Sequence, residues 1–162
     1  MKEVKIYQVG GSVRDELLGI KSNDIDYAVE ALSFEEMRDY LLAHEYKIFL
    51  ETPEYFTIRA KFPKNHPLSS PGSDVVDFTL CRVEGEYSDA RHPDQVTISN
   101  LMGDLSRRDF TVNAIAKGLN GEYIDPFNGQ EDLKKSLLRC VGDAKKRLQE
   151  DALRSLRAIR FT

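Results

Sequence analysis

The stretch VGGSVRDELLGIKSNDIDYAVE, residues 9–30, decides how the start of this chain folds. Residues 4–9 before it alternate and are rich in β-branched side chains, which predicts a strand ending at a Gly-Gly turn. A short helix is predicted next, with Ser12 as its N-cap and Gly19 at its end. Residues 24–31, DIDYAVEA, alternate again and predict a half-buried strand.

Composition excludes several classes of protein. The chain has 162 residues, of which 41 % are hydrophobic and 31 % charged, as is typical of one globular domain. It contains no apolar run of about eighteen residues and no secretory signal at its start. Two cysteines, Cys81 and Cys140, are too few for a disulfide framework. We therefore expect a cytoplasmic protein that has no contact with a membrane.

Charge is distributed unevenly along the chain. The net charge is −4, but residues 133–162 carry nine Lys/Arg and three Asp/Glu, a net +6, which leaves −10 for the remainder. A basic segment on an acidic body can face phosphates, although an ordinary solvated helix has the same composition.

Strands and helices mix without strict βαβ alternation in the rest of the chain. Residues 33–45 predict a helix capped by Ser33, and residues 55–62 and 74–83 predict two strands. Residues 105–119, LSRRDFTVNAIAKGL, predict a further helix. Residues 130–142 and 143–162 are also predicted to be helical. We therefore expect an α/β fold of the α+β type, a small mixed sheet flanked by helices.

Asp24 and Asp26 are the first candidate site residues. Two residues apart on a strand, they share a face, and their charges repel unless a cation lies between them. Mg²⁺ removes this cost, because it binds one or two carboxylates together with substrate phosphates. An ordinary polar strand shows the same spacing, so the pair alone leaves both interpretations open.

Gly10, Gly11 and Arg14 lie just upstream of these aspartates. A Gly-Gly turn lets the backbone approach a ligand closely, and an arginine one turn later can bind a phosphate with two donors. A tight turn beside a surface arginine is the alternative. The phosphate interpretation gains weight because this turn and the aspartates are so close in sequence.

Asp77 is a third candidate carboxylate, on a predicted strand. It can accept the proton of an attacking hydroxyl or help to bind a metal ion, or it can simply face solvent. Asp74 is a nearby competitor for the same role.

A pair of arginines, Arg107 and Arg108, begins the predicted helix of residues 105–119. Arginines at this place can hold a phosphate or a ribose. Asp109, which follows them, can instead serve as the N-cap of that helix.

The segment EDALRSLRAIRF, residues 150–161, predicts a helix with one polar side. At 100° per residue, Asp151, Arg154 and Arg157 share that side and Arg160 lies just beyond it. We expect the opposite stripe to face inward; it comprises Leu148, Ala152, Leu156 and Ile159. An aspartate and an arginine one turn apart can read a base edge, and they can equally form a surface ion pair.

Taken together, these motifs resemble the class II tRNA nucleotidyltransferases and bacterial poly(A) polymerases of the DNA polymerase β superfamily. The segments that carry the resemblance occur in the family's order: GGSVRDELL (10–18), NDIDYAVE (23–30), EYSDARHPDQV (86–96), DLSRRDFTVNAIA (104–116), YIDPFNGQEDL (123–133) and EDALRSLRAIRF (150–161). The resemblance implies a catalytic head over residues 1–138 and the start of a helical neck over residues 139–162. His92 departs from the arginine that the family usually has there.

The resemblance also implies roles for individual residues. Asp24 and Asp26 would bind Mg²⁺. Gly11 and Arg14 would contact the triphosphate, beside Gly10 of the same turn, and Arg108 would contact the sugar and phosphate. Asp151 and Arg154 would contact the base of ATP or CTP, and Arg157 and Arg160 would make further contacts to the nucleotide. Asp77 completes the catalytic candidates.

The expected activity is addition of CMP and AMP from CTP and ATP to the 3′ end of tRNA, with release of pyrophosphate. Poly(A) synthesis and A-only or CC-only addition use overlapping head motifs and remain alternatives, with RNAs other than tRNA as possible partners. A non-catalytic nucleotide-binding head is the alternative from another class, although such a head has no physical reason to keep two adjacent like charges.

Overall fold

The computed structural model describes residues 3–22, 24–68, 75–85 and 95–161. Within these ranges the strands are β1 (Lys5–Val9), β2 (Asp26–Glu30), β3 (Lys47–Thr52), β4 (Thr57–Lys61), β5 (Val76–Leu80), β6 (Arg82–Glu84), β7 (Val96–Ile98), β8 (Ala116–Gly118) and β9 (Tyr123–Ile124). The α-helices are α1 (Gly11–Leu17), α2 (Phe34–Ala43), α3 (Leu101–Ser106), α4 (Gly129–Lys134), α5 (Ala144–Glu150) and α6 (Ala152–Arg160). Two single 3₁₀ turns cover Pro53–Tyr55 and Thr111–Asn113.

One mixed sheet organises the described part of the chain. Its strand order is β3-β4-β5-β2-β1-β8-β9, while β6 and β7 pair with each other. β2 and β5 run parallel, and the other neighbours run antiparallel. Helices flank this sheet, so the expected α+β fold with a small mixed sheet is confirmed.

The centre of the sheet is buried on both faces. Tyr27 and Val29 pack in a core that α2 covers through Met37, while Ala28 packs on the opposite face against Leu105 of α3. Ser33 caps α2 as predicted, since its side chain accepts a hydrogen bond from the Glu36 amide. The prediction of a half-buried β2 was wrong because helices cover both sides of this strand.

The predicted helix over residues 105–119 was wrong in extent. α3 ends at Ser106, and the chain continues through the 3₁₀ turn into β8. β8 pairs with β1, with Val9 opposite Ala116. Strand pairing with a buried neighbour outweighs local helical propensity here, as tertiary contacts often do.

The C-terminal region is helical but not continuous. Asp151 has extended backbone angles, φ −145° and ψ 111°, and separates α5 from α6. Upstream of α5, Cys140 forms a β-bridge with Phe110, and Val141 is buried in the core on the α3 side. The boundary between residues 138 and 139 stays a prediction. In the described ranges, no helix has the length and apolar character needed to cross a bilayer.

Candidate active site

The Gly-Gly turn places the backbone of α1 against an arginine from another part of the chain. Gly10 has φ +77°, a conformation that favours glycine. A Cβ at this position would lie 3.0 Å from Nη1 of Arg108. The predicted N-cap was wrong: Gly10 occupies that place, and the Ser12 hydroxyl donates instead to the Val9 carbonyl.

Arg14 of α1 is held at the cavity wall from several sides. Its Nη1 donates to Oδ1 of Asn113 at 2.6 Å, and its Nε and Nη2 donate to Oδ1 of Asp15 at 2.9 and 2.6 Å. The Phe161 ring lies 4.9 Å from the guanidinium carbon. These contacts therefore fix the orientation of the guanidinium group at the cavity.

Asp24 and Asp26 are two neighbouring carboxylates of the site. Asp26 is the first residue of β2, Asp24 lies two residues before it, and both side chains open onto the same cavity. Desolvation by surrounding protein atoms raises the pKa of Asp26, and the charges of Asp24 and Asp77 raise it further, against the opposing charge of Arg108. A bound cation would relieve this electrostatic cost.

Asp77 lies beside this pair rather than in the same cavity. It is the register partner of Asp26 across the parallel β2–β5 pairing, and both line a smaller recess of about 270 Å³. Arg59 of β4 binds it with two donors, Nε to Oδ1 and Nη2 to Oδ2, both at 2.7 Å.

Arg107 and Arg108 follow the end of α3, so the prediction that they begin a helix was wrong. Arg107 donates to Oδ1 of Asp104 and Arg108 to Oδ2, at 2.7 and 2.9 Å from their Nη2 atoms. Burial alone would raise the pKa of Asp104, but the charges of Arg108 and Arg107 and their hydrogen bonds outweigh it and hold this pKa below its usual value.

Asp109 does not cap a helix either. Its Oδ1 accepts hydrogen bonds from the Phe110 amide and the Asn113 side chain, at 2.7 and 3.1 Å. Its Oδ2 lies 3.4 Å from Nε of Arg157. Asp109 therefore joins the 3₁₀ turn to α6 at the wall of the cavity.

Asp151 and Arg154 lie at the corner where α5 meets α6. Asp151 caps α6 through the Leu153 amide and accepts a hydrogen bond from Arg157 Nη2 at 3.0 Å. Arg154 is only 5 % exposed. It donates to Glu150 Oε2 at 2.7 Å and, through Nη2, to the Arg107 carbonyl at 3.1 Å.

The predicted inward stripe of the last helix was wrong for Ala152, Leu156 and Ile159, which are exposed. Leu156 and Ile159 are 63 % and 70 % exposed, and the residue of α6 that is buried is Arg154. A single helical wheel does not describe this segment, because Asp151 interrupts the helix. Arg154 is buried because Glu150 and the Arg107 carbonyl accept its hydrogen bonds. The expected grouping of Asp151 with Arg157 is nonetheless present as an ion pair.

One cavity of about 930 Å³ brings most of the candidates together. Asp77 is the candidate that does not line it. The candidates that do are Gly10, Gly11, Arg14, Asp24, Asp26, Arg108, Asp151, Arg154, Arg157 and Arg160. Positions up to 150 residues apart in the chain thus form one concave surface, which carries both carboxylates and arginines.

Two further residues shape this cavity without having been singled out from the sequence. Asp104 orients both arginines that follow α3, and its spacing of three and four residues from them was a usable signal, because such pairs meet on a helix. Phe161 lies over Arg14 and packs edge-on against Phe110 at 5.8 Å between ring centroids. No local sequence pattern predicts this contact, because it depends on where α6 places Phe161.

The carboxylates fit a divalent ion that also binds a substrate. In the described residues, no group of three or more His, Cys, Asp or Glu side chains is arranged to hold a metal by itself. Two neighbouring carboxylates that face an open cavity lined by arginines match the way Mg²⁺ binds between protein and phosphate oxygens.

Comparison with known proteins assigns the family. The model of the poly A polymerase head domain matches residues 6–139. The chain belongs to the poly A polymerase head domain family. Its sequence is 43 % identical over 157 residues to a CCA-adding enzyme of Lactobacillus helveticus. The alignment covers 96 % of this chain and 36 % of that enzyme.

Solved structures agree with this membership of the poly A polymerase head family. A CCA-adding enzyme of Bacillus stearothermophilus, in complex with CTP, has a TM-score of 0.75 at 36 % identity, covering 98 % of this chain and 34 % of that one. A tRNA nucleotidyltransferase complexed with a primer tRNA and an incoming ATP analog has a TM-score of 0.73 at 32 % identity, covering 98 % and 41 %. The chain therefore spans little more than a third of the length of these relatives.

Proposed function

We propose that this chain carries the catalytic head of an enzyme that adds CMP and AMP from CTP and ATP to the 3′ end of tRNA. The observation that supports the proposal most directly is the cavity that Asp24 and Asp26 line together with Asp151 and Arg154. The relatives named as CCA-adding enzymes support the same activity.

The residues of the cavity divide the work of the reaction. Arg14 and Arg108 bind the triphosphate oxygens, and the open turn at Gly10 and Gly11 gives those oxygens room. The 3′ hydroxyl of the RNA attacks the α-phosphorus of the nucleotide, the bond to the β-phosphate oxygen breaks, and pyrophosphate leaves. Asp77 accepts the proton of the hydroxyl or supports the metal-binding pair. Catalysis is mainly positioning and electrostatic stabilisation.

Nucleotidyltransferases of this family generally depend on a divalent metal ion, and we propose Mg²⁺ for this chain. Asp24 and Asp26 would hold it. When bound, it lowers the pKa of the attacking hydroxyl and stabilises charge on the leaving oxygens.

Asp151 and Arg154 would select the base. Asp151 offers carboxylate acceptors and Arg154 offers fixed donors, the two functions needed to pair with a base edge. Glu150 and the Arg107 carbonyl hold Arg154 in one orientation. Two side chains held in this way can select the base without a nucleic-acid template. We propose that the reaction takes place in the cytoplasm.

The test is incorporation of labelled CTP and ATP onto tRNA that lacks its 3′ CCA, in the presence of Mg²⁺. We expect both nucleotides to be incorporated, and we expect Asp24→Ala and Asp26→Ala to reduce the rate at least about a thousandfold because metal binding is lost. Asp39→Ala is the matched control, because Asp39 is an exposed carboxylate of α2 whose side chain is 68 % exposed.

Other outcomes would contradict CCA addition in distinct ways. Incorporation of AMP alone on any RNA would indicate poly(A) synthesis or A-only addition. Incorporation of CMP alone would indicate a CC-adding enzyme. Equal rates in the wild type and in Asp24→Ala would exclude a metal-dependent transfer at this cavity.

A further inference from the structure

An arginine outside the nucleotide cavity is bound to one of the three site carboxylates. Arg59 donates through Nε and Nη2 to the two oxygens of Asp77, each at 2.7 Å. Because each oxygen of Asp77 accepts from a different nitrogen of one planar group, the carboxylate plane is fixed as well as its position.

The sheet places this pair directly beside the metal-binding candidates. Arg59 is the register partner of Asp77 across β4 and β5, and Asp77 is the register partner of Asp26 across β5 and β2. The three side chains therefore form one row on one face of the sheet, with adjacent strands about 4.8 Å apart. Asp24 lies beside the Asp26 end of this row, and its negative charge also interacts electrostatically with Arg59.

Stability does not explain why the pair is there. The side chain of Arg59 is 53 % exposed and that of Asp77 is 29 % exposed, and ion pairs in such settings contribute little to folding. Without Arg59, however, Asp77 would be the third negative charge in a row with Asp24 and Asp26 and would be free to rotate away from them.

We propose that Arg59 is a positioning residue, which fixes the Asp77 carboxylate beside Asp26 for the nucleotidyl transfer step. The inference rests on the function proposed above. Arg59 does not line the nucleotide cavity, so it acts on the reaction through Asp77 and not through the incoming nucleotide.

Replacement of Arg59 should therefore change the rate of transfer more than nucleotide binding. We expect Arg59→Met, which keeps the aliphatic stem and removes every donor, to lower kcat about tenfold to a hundredfold, the effect of a misplaced catalytic group. KM for ATP and CTP should stay within about twofold of the wild type. Arg59→Lys should restore part of the rate, because lysine supplies the charge without the two-donor geometry.

A double-mutant cycle separates this role from a general structural one. In an Asp77→Asn background, Arg59→Met should lower kcat by less than about twofold further, since the group it positions is already lost. Arg38→Met is the matched control: Arg38 forms an exposed ion pair with Asp39 on α2, and its loss should leave kcat unchanged.

Two results would overturn the proposal. Additive losses in the double variant would show that Arg59 acts independently of Asp77. A raised KM for tRNA with unchanged kcat would identify Arg59 as a direct contact to RNA.

A crystal structure of Arg59→Met decides the geometric claim without any turnover. We expect the Asp77 carboxylate to have moved by more than about 1 Å or to occupy two conformers. An Asp77 carboxylate that keeps its wild-type place would refute the positioning role. An inactive wild-type chain would count against the proposed transfer reaction alone, because this measurement needs no substrate.

Discussion

At the scale of one residue, Asp26 shows the electrostatic cost of placing a carboxylate beside two others. Desolvation and the charges of Asp24 and Asp77 raise its pKa above the ordinary value, so the ionised form is less favourable in the folded chain than in the unfolded one. We expect Asp26→Asn to abolish transfer and to raise Tm in metal-free buffer at neutral pH. Differential scanning calorimetry measures this, with Asp39→Asn as the control.

The pH dependence of that difference has a defined sign. The folded state holds its proton on Asp26 to higher pH than the unfolded state, so the stability of the wild type falls as pH rises from the ordinary value, 3.8, through the raised one. The gap between Asp26→Asn and the wild type should therefore be full above this window and close below it. A constant gap down to the most acid pH would show that another effect of the substitution is responsible.

Asp104 has the opposite character, since its charge stabilises the fold. Its side chain is 2 % exposed and lies between the guanidinium groups of Arg107 and Arg108. Asp104→Asn removes the buried carboxylate that both guanidinium groups share, so that Arg107 keeps only part of its pairing, with Glu84. We expect it to lower the free energy of unfolding by about 3 kcal/mol and to weaken ATP binding through the released Arg108. Urea unfolding and calorimetric titration measure the two effects, and an unchanged free energy would contradict the packing described.

At the scale of elements, periodicity identified the C-terminal helices but not the direction in which α6 faces. The wheel requires a regular helix and assumes that apolar side chains point inward. Asp151 interrupts the helix. Arg154 is buried instead of the apolar side chains, because the Glu150 carboxylate and the Arg107 carbonyl accept hydrogen bonds from its Nη1 and Nη2. The arginine pair was likewise placed at the wrong end of a helix, because pairing of β8 with β1 is not visible in local propensity.

Substitution of an exposed apolar residue on α6 and of a buried one on α2 tests which helix faces pack inward. Leu156→Gln should change the free energy of unfolding by less than about 0.5 kcal/mol, because the side chain is 63 % exposed in this chain. Met37→Ala on α2 should cost about 2–5 kcal/mol, since Met37 is fully buried. Chemical denaturation measures both, and a large loss for Leu156→Gln would restore the inward stripe that the sequence pattern suggested.

At the scale of the whole molecule, the sequence motifs identified residues that the fold brings into one cavity, although the roles of these residues stay predictions. Motif spacing indicated Asp24, Asp26 and Arg14 directly. The place of Asp77 depends on the insertion of β5 between β4 and β2, a topological choice that no local signal encodes. His92 and Asp74, the remaining residues weighed from the sequence, lie outside the described residues.

The complete cavity leads to a prediction about triphosphate binding. If a triphosphate binds there as proposed, the arginines of the cavity should attract it, while Asp24 and Asp26 should repel it unless a divalent ion lies between them. We expect ATP to bind about tenfold more weakly in EDTA than in Mg²⁺. The double variant Asp24→Asn and Asp26→Asn removes the repulsion and the metal ligands together, so its affinity for ATP should be nearly the same in both buffers. Isothermal titration calorimetry measures all four affinities, and a wild type that binds ATP equally well without Mg²⁺ would favour a non-catalytic nucleotide-binding head over an enzyme.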